Sequence, residues 1–157
     1  MTCKSALSIV TWNVGKGLSH KILDSEFISI IDKTDIICLL ECWITEYDDI
    51  DIPNYYSFIF PRKTGRGGGI VILVKYELKD SISLIDNIHD CIIWLKFTQA
   101  QENTYFAFCY IPPENSIFYV RDNVETDLFQ RLEDTITLYK DRGKIIISGE
   151  LVLDQTI

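Results

Sequence analysis

The chain has 157 residues, the size of one ordinary domain, with 47% hydrophobic and 24% charged residues; this excludes a disordered polypeptide and allows a sizeable core. No apolar stretch is long enough to cross a bilayer, and Lys4 followed by a mixed, strand-like run is not the pattern of a signal peptide, so a soluble intracellular protein, cytoplasmic or nuclear, is expected. With 23 acidic against 15 basic residues the net charge is -8, which weighs against a protein whose main task is gripping a phosphate backbone.

In chain order, "LSIVTWNV" (7–14) is rich in β-formers and predicts a first strand. "KILDSEFISIID" (21–32) puts Leu23, Phe27, Ile30 and Ile31 at helical spacing and predicts one amphipathic helix. "DIICLLECW" is nearly continuous in apolar residues after Asp35, as in a strand buried on both faces. The acidic "TEYDDIDIPNY" reads as an exposed loop. "YYSFIF" and "GGIVILVKY" then flank the turn-rich "PRKTGRGG" as a strand pair, and "DCIIWLKFT" and "NTYFAFCYI" form another pair across "QAQE". Pro112 and Pro113 end that last strand. From about residue 122 to 142, Leu128, Leu132, Ile136 and Tyr139 follow helical spacing, with Gly143 at the expected C′ position, and "KIIIS" is the final strand. The order β-α-β, several strands, a long helix and one more strand predicts a mixed α/β layered sandwich.

The five cysteines, Cys3, Cys38, Cys42, Cys91 and Cys109, are odd in number and scattered through apolar segments, which reads as buried free thiols rather than a zinc site. Two local basic patches, Arg62, Lys63 and Arg66, then Lys140, Arg142 and Lys144, stand against the acidic balance; each reads equally as a solvated loop or helix end.

Four strand ends carry polar residues in the same sense: Asn13, Glu41, Tyr110 and Glu150. If those strands share a sheet system, the four converge on one rim, where α/β folds place their sites. A carboxylate such as Glu41 can hold Mg²⁺ while water and substrate phosphate fill the remaining coordination positions. An amide at Asn13 can orient water and a phenol at Tyr110 can bond a phosphate oxygen. Each residue alone also suits a solvated terminus or a turn, but an acid directly after five apolar residues needs a partner.

Together "TWNVGKGL", "DIICLLECW", "GRGGGIVILVK", "CYIPPENS" and "KIIISGE" resemble, in order and spacing, the endonuclease/exonuclease/phosphatase superfamily, most of all the endonuclease domain of animal non-LTR retrotransposons. The resemblance covers residues 8–150. It implies a DNase I-like four-layer α/β sandwich and cleavage of phosphodiester or phosphomonoester bonds with Mg²⁺ or Mn²⁺. Asn13 then matches the asparagine of the first motif, Glu41 the metal-binding glutamate ("LECW" for the usual "LQETW"), and Tyr110 the tyrosine of Y-x-P-P. Gly67, Gly68 and Gly69 match a Gly-rich approach to a strand, with an expected role in tight backbone packing rather than phosphate binding.

Two departures follow from the same resemblance. The family's Gly-Asp-(Phe/Leu)-Asn motif, whose aspartate positions the nucleophile and whose asparagine binds phosphate, reads Gly149-Glu150-Leu151-Val152. The C-terminal Asp-His pair is not reached, and neither histidine, His20 before the predicted helix or His89 between two strands, stands in its context. Residues 1–157 are thus expected to be a single truncated domain lacking the C-terminal strands. The expected function is a Mg²⁺-dependent DNA endonuclease of retroelement origin, inactive or strongly impaired, with Asn13, Tyr110 and Glu150 as catalytic residues and Glu41 on the metal. The alternatives are a non-catalytic remnant that self-associates through an exposed sheet edge or docks a partner, and an incomplete gene product that diverges after Glu150.

Overall fold

The apolar run after Asp35 becomes the centre of a sheet. The structure, a computed structural model, describes residues 6–61, 67–113, 116 and 127–151, and within it the chain divides into two compact units, 1–81 and 82–157. Cys3, the patch Arg62, Lys63 and Arg66, the start of the second predicted helix and Val152 all lie outside the described residues.

In the first unit, β1 (Ile9–Asn13), β2 (Ile36–Leu40), β3 (Tyr55–Phe60) and β4 (Ile70–Lys75) form a sheet in the order β1-β2-β4-β3. β1 and β2 are parallel; β4 is antiparallel to both β2 and β3. All five residues of β2 are buried, as the unbroken apolar run requires. One helix over 21–32 is not what forms. A short α1 (Leu18–Lys21) and α2 (Ser25–Ile31) are separated by Leu23, which is 81% exposed. The break is made by Asp24, whose carboxylate accepts from the Glu26 amide and so caps a new helix start. Phe27 and Ile31 of α2 pack with Ile37, Leu39, Val71 and Leu73 of the sheet. The acidic stretch is not wholly exposed: Ile50 and Ile52 within it, and Ile44 just before it, are buried in the same cluster.

Two buried polar groups tie this unit together. The Asp35 carboxylate accepts from the amide and hydroxyl of Ser8, both at 2.9 Å, and lies 3.6 Å from the Lys75 ammonium. The Tyr55 hydroxyl lies 2.7 Å from the Ile31 carbonyl and 2.6 Å from that of Thr34. Burial first, then the nearby Asp32 and Asp35 carboxylates, pushes the Tyr55 phenol up to about 12.

The second unit is a sheet in the order β5-β6-β7-β8, with β5 (Ile82–Ile88), β6 (Ile92–Gln99), β7 (Glu102–Ile111) and β8 (Lys144–Leu151). β5–β6 and β6–β7 are antiparallel, and β7 and β8 are parallel. The pair 92–99 and 102–111 and the stop at Pro112 follow the sequence; β5 does not, because only its two ends, Ile82 and Ile88, are buried. The helix α3 (Leu128–Tyr139) starts at Asp127, whose carboxylate accepts from the amides of Phe129 and Gln130. It lays Leu128, Leu132 and Tyr139 on the sheet, where Tyr139 stacks on Tyr105 at 4.9 Å between centroids and Trp94 donates its indole N–H to the Thr135 hydroxyl at 3.0 Å. Gly143 is not the C′ residue of this helix. The C-cap is Lys140, and Gly143 is needed because a Cβ there would come within 2.3 Å of the Asn103 carbonyl oxygen.

Cys38, Cys42, Cys91 and Cys109 are buried free thiols, as expected. Burial pushes the Cys42 and Cys109 thiols up to about 12. These groups and Tyr55 stay protonated in the folded chain after their unfolded counterparts ionise, so their contribution to stability is intact below about pH 9 and is lost as pH rises towards 12. The urea midpoint should therefore fall across that window. Tyr55→Phe, one titrating group fewer, should make the fall shallower above about pH 10; equal slopes for the two proteins would rule out the role given to Tyr55.

Candidate active site

Parallel pairing of β1 and β2 brings the C-terminal ends of both strands to one edge. Asn13 is in register with Leu40, the residue before Glu41, and the Val14 amide donates to the Leu40 carbonyl at 3.0 Å. The Asn13 side-chain oxygen accepts from the Gly15 amide at 3.1 Å. β4, running the other way, starts at that same edge and delivers Gly68 and Gly69 to it. The Cys42 amide donates to the Gly69 carbonyl at 3.1 Å, and the Trp43 amide donates to the Gly68 carbonyl at 2.8 Å.

These bonds hold an unusual turn. Glu41 and Trp43 both have left-handed backbones, with φ of 55° and 52°, conformations that cost a bulky L-residue energy and persist only where surrounding bonds enforce them. The glycines opposite have φ of 83°, 72° and 82° at positions 67, 68 and 69, which explains a run of three glycines better than close packing alone. The Gly68 amide donates to Glu41 Oε2 at 2.8 Å, and the Trp43 indole N–H donates to the same oxygen at 3.0 Å. The sequence reading missed both donors. Trp43 had a signal, an indole two residues after the acid in "ECW"; Gly68 is 27 positions from Glu41 and had none.

Glu41 is thus a half-buried carboxylate with one oxygen fixed by two donors, while no described residue donates to Oε1. That donor set fits a hard divalent cation, which takes one or two protein carboxylates and keeps much of its water. Among the described residues no three His, Cys, Asp or Glu side chains gather as an all-protein cage. The neighbouring Cys42 thiol is no ligand: it points inward, donates to the Leu39 carbonyl at 3.2 Å and is held protonated by burial.

In the second unit, Tyr110 and Glu150 are register partners on the parallel strands β7 and β8, and the Tyr110 amide donates to the Cys91 carbonyl at 2.8 Å. Gly149, beside them, faces Cys109 across the ladder. The four expected residues therefore fall into two neighbouring pairs, Asn13 with Glu41 and Tyr110 with Glu150, one in each unit. His20 lies within α1 rather than in a loop, and His89 in the turn between β5 and β6. Lys140, Arg142 and Lys144 are an exposed helix end and strand start, with Lys144 lying 3.6 Å from Glu102.

Residues 10–147 match the family model described as the Endonuclease/Exonuclease/phosphatase family. The chain belongs to that family. No curated protein matches it by sequence. Among solved structures, an AP endonuclease, LMAP, from Leishmania major superposes with a TM-score of 0.68 at 14% identity, covering 92% of this chain and 55% of its own. The catalytic domain of human Nocturnin gives 0.57 at 17%, covering 91% and 63%. The endonuclease domain of TRAS1, a telomere-specific non-LTR retrotransposon, gives 0.54 at 13%, covering 92% and 59%. At such identities the likeness is one of fold, and it upholds the DNase I-like α/β class. The family member described here spans between 55% and 63% of the length of these solved chains. None of its described helices is long and apolar enough to cross a membrane.

Proposed function

We propose that this chain is a divalent-metal-dependent phosphodiesterase of the nuclease type, acting on DNA with low catalytic power. The observation that carries the reading is Glu41: a carboxylate oriented through one oxygen by the Gly68 amide and the Trp43 indole, at the edge where Asn13 also ends its strand. Glu41 would hold Mg²⁺ or Mn²⁺, which when bound supplies charge stabilisation to a phosphoryl group. Asn13 would orient water, and Tyr110 and Glu150 would contact phosphate and nucleophile. The reading takes residues 1–157 as one domain, because the family match runs through both units. Retroelement origin is its finer form, suggested by the motifs and by the TRAS1 domain among the structural relatives.

The test is nicking of supercoiled plasmid by the purified chain in Mg²⁺, with EDTA and Glu41→Gln as controls. Slow nicking is expected, abolished by EDTA and reduced about 100-fold or more in Glu41→Gln, since removing one electrostatic contact to developing charge typically has effects of this order. Equal nicking by both proteins, or none by either, would overturn the reading. A second reading, a non-catalytic module that binds another copy of itself, draws on Ile146, Ile147 and Leu151, each more than 40% exposed on β8, the last strand of its sheet. Absence of nicking together with concentration-dependent dimerisation would favour it.

A further inference from the structure

The three tryptophans are placed very differently. Trp94 is fully buried and Trp12 packs against the first core, but Trp43 leaves 40% of its surface in solvent. It does so from a left-handed backbone that its amide bond to Gly68 and its indole bond to Glu41 enforce. Fixing the carboxylate needs only the N–H edge of the indole; a histidine, whose ring N–H reaches about as far, could do that with a much smaller exposed ring. The exposed ring is thus unexplained by its bond to Glu41. A second feature stands beside it: the ammonium of Lys16, an exposed residue three after Asn13, lies 6.0 Å from the centre of the Trp43 ring.

We infer that Trp43 and Lys16 form a nucleotide subsite beside Glu41, the indole stacking on a nucleobase and the ammonium meeting the phosphate attached to it. An immobilised aromatic ring is a sequence-tolerant platform, because every base has a π face, and a lysine at its margin adds the charge that holds the backbone. The bond from the indole to Glu41 Oε2 fixes the platform relative to the carboxylate, so a stacked base is held at a constant distance from it. The ligand class, a DNA strand, rests on the nuclease reading; the site itself rests on the ring, its strain and the lysine.

The test is binding without catalysis. In EDTA, a short fluorescent single-stranded oligonucleotide and an abasic strand of the same length are titrated with the full chain and followed by anisotropy. The base-bearing strand should bind roughly 10-fold more tightly, the effect of stacking one base. Trp43→Leu should abolish that preference and Trp43→Phe should keep most of it. Lys16→Gln should weaken both strands and reduce the slope of log affinity on log salt by about one. Should Trp43→Leu fail to fold, by circular dichroism, quenching of indole fluorescence by the base-bearing strand in the native chain and its loss in Trp43→Phe serve instead. Equal binding of the two strands, no binding of either, or a preference that survives Trp43→Leu would overturn the subsite. A base preference in a protein that nicks nothing would keep the subsite and remove the nuclease reading, so the two fail separately.

Discussion

Gly149→Ala should cost about 4 kcal/mol or more, the range reserved for direct backbone clashes, and so remove much of the stability an ordinary domain possesses. Gly149 has φ of +146°, a conformation essentially confined to glycine, and a Cβ built on it would lie 1.9 Å from the Cys109 carbonyl oxygen and 2.8 Å from the Cys109 amide nitrogen. The atoms in the way are backbone of β7, itself paired on its other side with β6, so no rotamer change makes room. Relief would require β8 to leave the sheet, taking Glu150 away from its register with Tyr110. Urea denaturation measures this directly, and a loss under about 1 kcal/mol, within the ordinary range for a point substitution, would mean that β8 moves aside freely.

Glu150→Asp should raise nicking by about 10- to 100-fold. On the proposed function, Glu150 occupies the place of the aspartate in the motif that the sequence resembles, and its extra methylene shifts the carboxylate by about a bond length; misplacement on the order of 1 Å can cost ~100-fold in rate. The backbone at this position is well determined, since Glu150 pairs with Tyr110 and follows the obligatory Gly149. Shortening the side chain therefore changes reach and leaves the strand alone. A rate unchanged or lowered in Glu150→Asp, with the urea midpoint intact, would show that this carboxylate does not serve the nucleophile.

Most strands were legible because burial on both faces leaves an unbroken apolar run, as in β2, β4 and β6, and because Pro112 and the glycines punctuate them. β5 escaped because its interior is largely solvated and carries an irregularity between Leu84 and Asp86, so neither alternation nor an apolar run survives. The helix over 21–32 was overdrawn for the opposite reason: Leu23 fits the helical period, yet Asp24 bonds its own backbone two residues on and starts the helix afresh. Glycines could be found but not interpreted. Gly143 suggested a left-handed cap and instead makes room for Asn103, a neighbour forty positions earlier in the chain. The polar residues at strand ends were readable, and parallel pairing of β1 with β2 and of β7 with β8 makes them two neighbouring pairs. What orients Glu41 was not, because the Gly68 amide reaches it only after β2 and β4 have paired.

That last bond makes the carboxylate sensitive to a stretch of chain far from it in sequence, the approach to β4. The amide of Gly68 is carried by the hairpin of β3 and β4, whose connection can change length or sequence while both strands keep their places. Any change there that tilts the Gly68 peptide reorients Glu41 without altering a single residue of the strand that bears it. On the proposed function, where Glu41 holds the metal, the β3–β4 connection would act as a tuning screw for cation affinity on an otherwise fixed scaffold.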